Sequence, residues 1–256
     1  MLNAMRAIAL VLPLALVSLG SAQSVLLRVR PPVGKTSTYT MTTQMTQSVP
    51  GMPAPMGFSQ SVPMTVRVLA RKGNLTTMQT KMGQAKVTMP AGSPMAAGKA
   101  AMEKASSGIV STTTVDELGK VRSATGKAGV QAMGMMQGSQ GVSFPAKALK
   151  VGDTWTGVLD MSKTAAGGGK ASGRIPIVYR LVSLSGNVAT IGVTMKGTTT
   201  MNAGSTALKM LMNTTGTTRV DTATGLLKSM SMTMNNDISM GASGQTMRQR
   251  IVISMK

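Results

Sequence analysis

The chain has 256 residues, with 27 Lys and Arg against 7 Asp and Glu, for a formal net charge of +20. It contains no Cys and no His, while 26 Met stand against one Trp, two Tyr and two Phe. Without a thiol or an imidazole, a Cys nucleophile, a Ser–His pair, a disulfide framework and a Cys/His zinc site are all excluded.

The N-terminus reads as a targeting segment. Residues 1–6 carry one positive side chain, Arg6, and residues 7–16 are apolar apart from Pro13. Gly20-Ser21-Ala22 then places small residues at a cleavage site. These are the three parts of a secretory signal peptide, and the apolar run is too short to span a bilayer. The expectation is a signal peptide over residues 1–22 and an exported protein of the periplasm, cell envelope or extracellular space. Residues 23–256 would form a single domain, and no later stretch is apolar enough for a transmembrane segment.

From there on, apolar residues alternate with polar ones at a period of two, the mark of half-buried strands. Residues 36–49 align Tyr39, Met41, Met45 and Val49. Residues 50–58, rich in Pro, predict a stiff hairpin tip, and residues 61–71 align Val62, Met64, Val66 and Val68. In residues 75–89 the apolar phase slips from Met78 and Met82 to Ala85, Val87 and Met89 around Gly83, which predicts a β-bulge and a bend. Residues 95–106 and 126–136 have helical spacing instead, and residues 90–95 and the Gly-rich stretch 163–173 read as flexible connections. Further strands are predicted over 154–161, 175–181, 188–196, 208–220, 226–234 and 247–255.

Turn residues separate these runs at Lys72-Gly73-Asn74, Asp116-Glu117-Leu118-Gly119, Ser185-Gly186-Asn187 and Asp221-Thr222-Ala223-Thr224-Gly225. One wet face per strand and short turns indicate an all-β fold, an antiparallel meander with one or two short helices. Residues 36–49 would run about 46 Å at about 3.3 Å per residue, so the sheet is expected to be large and curved, half-barrel like, with the helices over its concave face. An echo links Val115-Asp116…Gly119 to Val220-Asp221…Gly225. A duplicated hairpin unit and two generic Asp…Gly turns both fit it.

The stretch Phe144-Pro145-Ala146-Lys147-Ala148-Leu149-Lys150-Val151-Gly152-Asp153-Thr154-Trp155 resembles the F-P-x-K-x-L-x-V-G-D-x-W element of a family of uncharacterised secreted bacterial domains. Val220 to Leu227 is similar to that family's second, T-G-L-L element. The family brings no activity with it. Its general shape is similar to the curved-sheet LolA/LppX-like carriers of the bacterial envelope, which implies a carrier-like sheet and licenses little about function. Physically, Gly152-Asp153 reads as a turn that delivers Trp155 to the buried face, as core anchor or as binding-site wall.

Catalysis finds little support. Asp116, Glu117, Asp153 and Asp221 fall in turns, and no two carboxylates are spaced as an acid and base pair. Met is the distinctive side chain: it fills cores in place of Leu and Phe, and it offers a deformable lining for acyl chains. The ligand-lining candidates are Met41, Met45, Met64, Trp155, Met210, Met212, Met230, Met232 and Met234. Thioethers also select Cu(I), so Met52 and Met56 in the Pro-rich loop, with Met133, Met135 and Met136, form a candidate copper set. Exposed Met can besides buffer oxidants as the sulfoxide. The basic residues are spread, with Arg248 and Arg250 on the polar face of the last strand. Aromatics are too few to stack bases, so nucleic acid is not an expected partner, whereas an anionic envelope polymer or an envelope protein is.

The function expected is that of a non-catalytic envelope protein binding an apolar or lipidic ligand, or an envelope component, on a Met-lined curved sheet, with no cofactor. The alternatives are a Met-based copper-binding or oxidant-scavenging protein and a structural subunit of a surface assembly.

Overall fold

The computed structural model describes residues 24–48, 50–51, 55–93, 95–126, 142–160, 170–203, 206–240 and 245–256. The expected signal peptide, nearly all of the helix over 126–136 and most of the 163–173 connection lie outside these residues.

The alternating runs become strands, and residues 24–25, 110–116, 121–126 and 149–150, which were not among the expected runs, add further ones. In chain order they are β1 (Ser24–Val25), β2 (Thr36–Ser48), β3 (Met56–Lys72), β4 (Leu75–Met82), β5 (Lys86–Thr88), β6 (Val110–Asp116), β7 (Val121–Gly126), β8 (Leu149–Lys150) and β9 (Thr154–Asp160). The second half supplies β10 (Lys170–Ser172), β11 (Arg174–Ser185), β12 (Val188–Ala203), β13 (Thr206–Asp221), β14 (Leu227–Met240) and β15 (Gln245–Met255). Helix α1 (Lys99–Ser106) lies between β5 and β6. All strand pairs are antiparallel, and 13 strands form one curved sheet that is not closed into a barrel. Its order is β7-β6-β4-β3-β2-β15-β14-β13-β12-β11-β9, with β5 added beside β3 and β10 beside β12. Two meanders thus meet where the first long strand, β2, pairs with the last, β15.

One face of the sheet is the core. Its residues follow the predicted phase: Val62, Met64, Val66 and Val68 on β3, Ala189, Ile191, Val193 and Met195 on β12, Met230, Met232 and Met234 on β14. Three local expectations change. The hairpin tip is shorter than residues 50–58, because Met56 and Phe58 already stand opposite Gln47 and Met45 as β3 residues. Residues 75–89 make two strands, and Gly83-Gln84-Ala85 between them oppose only Val62 and Pro63 on β3, which is the predicted bulge. Lys170–Ser172, within the stretch read as a flexible connection, is a strand paired with Thr200 to Asn202.

The cover over the core also differs. Helix α1 forms, but it sits beside β5, where Glu103 Oε1 accepts from the Val87 N–H at 2.9 Å and Ser107 Oγ from the Ala85 N–H at 2.8 Å. A KAAMEKAS helix has too little apolar surface to roof a wide sheet. Two extended arms contribute instead: Leu27 and Val29 from the first, and Val142, Phe144 and Leu149 from the second, all buried in the same apolar core. The arms pair through β1 and β8. The first is pinned on both flanks, since Val29 N–H donates to Glu117 O and Arg30 N–H to Thr224 O. The second is held where Phe144 N–H donates to Leu118 O.

The echo between the two Asp turns extends through both halves. Gly34 and Gly152 share positive φ, 83° and 97°, and stand before β2 and β9. Each donates its N–H to a later long strand, Gly34 to Val68 O on β3 and Gly152 to Leu181 O on β11. Just beyond those two residues β3 and β11 each carry a bulge, with Leu69 and Val182 as the extra, exposed residues. The Gly73 and Gly186 turns follow at φ 59° and 52°. The hairpins β6–β7 and β13–β14 then each carry a bulge directly beside the turn. The same sequence of irregularities in the same order marks two copies of one meander, a relationship that turn composition alone does not produce.

Candidate functional site

Strand registers place the inner-face side chains in rows across the sheet. One row runs Leu181, Ile191, Thr218, Met230, Met255, Met41 and Val62. Two rows further along it becomes Ile177, Met195, Thr214, Met234, Ile251, Met45 and Phe58. The next is polar in its centre, with Met212, Asn236, Gln249, Gln47 and Met56.

The lining candidates fall into two groups in this frame. Met64, Met210, Met212, Met230, Met232 and Met234 are buried, Met212 to 1%. Met41 and Met45 are half-buried on β2. Around them Phe58 on β3 and Met247, Ile251 and Ile253 on β15 are also half-buried, so the apolar face opens where β2, β3 and β15 run side by side. Trp155 stands apart from this opening. Its ring stacks on Tyr179 with centroids 5.4 Å apart, and its indole N–H donates to Ser143 O at 2.6 Å. Burial raises the Tyr179 hydroxyl above its ordinary value, against the opposing effect of its bonds to Ser143. Both rings are occupied as core anchors.

Of the copper set, Met56 lies on β3 opposite Gln47 and is half-buried. Met52, Met133, Met135 and Met136 lie outside the described residues. Among the described residues no group of three or more His, Cys, Asp or Glu is placed to hold a metal ion.

The amides of the polar row were not singled out in the sequence. Asn236 Nδ2 donates to Gln249 Oε1 at 3.2 Å, Gln249 Nε2 to the Met45 thioether, and Gln47 Nε2 to the Met247 thioether. Asn236 Oδ1 and Gln60 Nε2, with the hydroxyls of Thr214 and Thr218, are buried without a hydrogen-bond partner among the described residues. A buried orphan of this kind costs about 1–3 kcal/mol. The signal was present in the sequence, since Gln47, Asn236 and Gln249 all occupy the apolar phase of their strands.

The acids do structural work. Asp116 Oδ1 accepts from the Leu118 and Lys120 N–H groups, Glu103 holds β5, and Asp153 accepts from the Lys150 N–H. Glu117 pairs with Arg30, and Asp237 with Arg248 at 3.7 Å. Burial raises the Asp221 carboxyl, but donors from Thr224 and the Lys228 charge outweigh it and hold the group below its ordinary value. With the carboxylates so engaged, the positive charge on the outer face is largely uncompensated.

Fold and site together describe a large antiparallel sheet with one buried apolar face, which between β2, β3 and β15 opens onto Met, Phe and Ile. The chain matches no family model and no curated protein. Among solved structures it is similar to DynF from the dynemicin biosynthesis pathway of Micromonospora chersina, at 9% identity and a TM-score of 0.24, over 91% of this chain and 85% of that one. Likeness at that level says nothing of what this chain binds or does. Among the described residues no helix is long and apolar enough to cross a membrane.

Proposed function

We propose that this chain is a non-catalytic exported envelope protein that binds an apolar or amphiphilic ligand where its inner sheet face opens between β2, β3 and β15. The observation that carries this reading is the half-buried patch of Met41, Met45, Phe58, Ile251 and Ile253, bordered by the Gln47–Gln249–Asn236 amides, with Met247 beyond them. Thioether side chains adapt to acyl chains, and the neighbouring amides would meet a polar head. Native mass spectrometry of protein purified from its host tests the reading. A co-purifying amphiphile is expected, displaced in a Met45→Gln, Ile251→Thr variant of unchanged fold. Ligand retained in that variant, or no ligand and no uptake of a long-chain fatty acid probe, would overturn it.

A further inference from the structure

On the opposite, outer face, we propose a binding pocket for the phosphodiester of a small polyol such as glycerol, built around Arg248 and Arg250. The two arginines are alternate residues of β15, so they project from the same face about 6.6 Å apart. Register sets Arg250 between Asn235 and Thr46, and Arg248 between Asp237 and Ser48. These six residues, together with Asn236 and Gln249, line an open groove of about 240 Å³. One bare oxyanion would leave most of it empty.

The chemistry of the lining is mixed in a way that selects the ligand. Among the described residues Arg250 has no carboxylate within ion-pair reach, and Arg248 has only Asp237, at 3.7 Å with Arg248 82% exposed. Guanidinium groups present paired N–H donors that match two phosphate oxygens. Asn235, Thr46 and Ser48 add neutral donors. Asp237 repels a dianion, but accepts hydrogen bonds from hydroxyls. A singly charged phosphodiester flanked by hydroxyl groups satisfies both demands. Inorganic phosphate satisfies only the first. The groove borders Asn236 and Gln249 of the inner-face amide row, but it includes neither Met45 nor Ile251, so loss of binding in Arg250→Gln and loss in the Met45→Gln, Ile251→Thr variant test the two readings separately.

Calorimetric titration of the full mature chain with glycerophosphoglycerol, inorganic phosphate and glycerol tests it. Saturable binding of glycerophosphoglycerol, tighter than that of phosphate, is expected to weaken about tenfold in Arg250→Gln. Arg219→Gln, an equal change of charge on the outer face of β13, should leave it unchanged, and Asp237→Asn should narrow the preference over phosphate. Flotation with vesicles of phosphatidylglycerol and phosphatidylcholine separates the sources. Retention that Arg250→Gln abolishes assigns the phosphodiester to a lipid headgroup, and saturation by the soluble probe without retention assigns it to a free one. Absence of saturable binding, or equal weakening by Arg219→Gln and Arg250→Gln, would overturn the proposal.

Discussion

Arg122 is the bulge residue of its hairpin, and its guanidinium meets Asp116 Oδ2 at 2.7 Å across the turn. Lys228 is the bulge residue of the equivalent hairpin and reaches Asp221 Oδ2 at 3.4 Å. The extra residue in each strand therefore has a purpose: it carries a cation back to the aspartate that organises the turn. Both turns also receive the arms, Leu118 O from Phe144 and Thr224 O from Arg30, one residue before the positive-φ glycine in each case. The duplicated hairpins are thus the clasps that hold the cover on the core.

Acid should loosen the second clasp. The Asp221 carboxyl sits below its ordinary 3.8 in the folded chain, so folding favours its charged form. A depressed acid contributes stability that is complete above the unfolded value and is lost as pH falls through the folded one. Thermal unfolding between pH 7 and pH 2 should show Asp221→Asn less stable by up to about 1 kcal/mol at pH 7. The gap should narrow as pH falls below 3.8 and the carboxylate is protonated. A constant gap at all pH values would mean that the charge is not what matters.

Gly225 is the point where the first arm presses on its clasp. Its φ is +68°, and a Cβ there would lie 2.2 Å from Arg28 O. Gly186, at φ +52°, has nothing within 4 Å of the same position. Gly186→Ala should therefore cost the backbone penalty alone, about 1–3 kcal/mol. Gly225→Ala should cost more and should release the arm, with hydrogen exchange at the Val29 and Arg30 amides rising sharply. Equal costs for the two variants would show that the arm contact is not tight.

Much of this architecture was legible in the sequence. The long strands and all four turn clusters follow from period-two patterning, because one face of each long strand is buried, whereas β1, β6, β7, β8 and β10 were not among the expected strands, and β7 is exposed along its whole length. The bulge at Gly83 was readable from the slip between Met82 and Ala85. The arms were not, although Val25, Leu27 and Val29 repeat at period two and turn into the core, because so short a run does not say whether it joins the sheet or crosses over it. The duplication was readable only as two Asp turns, because the remaining correspondences are bulges and glycine conformations carried by different side chains, such as Leu69 and Val182. The opening of the inner face was hidden for another reason. Met45 and Met212 sit in the same apolar phase, and only the sheet order decides which is roofed.

Trp155 offers a spectroscopic reading of the second half. Stacked on Tyr179 and bonded to Ser143, its emission should be that of a buried indole and should shift to the red only on unfolding. Trp155→Phe keeps the stack and strands the Ser143 carbonyl, at a cost of about 1–3 kcal/mol. Trp155→Ala should cost about 3–5 kcal/mol. Burial keeps Tyr179 protonated beyond the ordinary 10.0. A raised folded value means that its contribution is full below that pH and fades above it, so alkaline unfolding should accompany its ionisation in a spectrophotometric titration.

The methionines should separate by chemistry as they do by position. Oxidation by peroxide requires access to sulfur, and the sulfoxide is polar. Met41, Met45 and Met247 stand at the opening, whereas Met212 and Met255 are exposed by only 1% and 2%. Under native conditions peptide mapping should find sulfoxide at the first three well before the last two. A bound amphiphile should protect Met41 and Met45 selectively, because it would lie on them, and should leave the oxidation of solvent-exposed methionines elsewhere unchanged. If Met212 reacts as fast as Met45, the sheet must open as a whole on the timescale of the reaction, and the inner face is then not a preformed site.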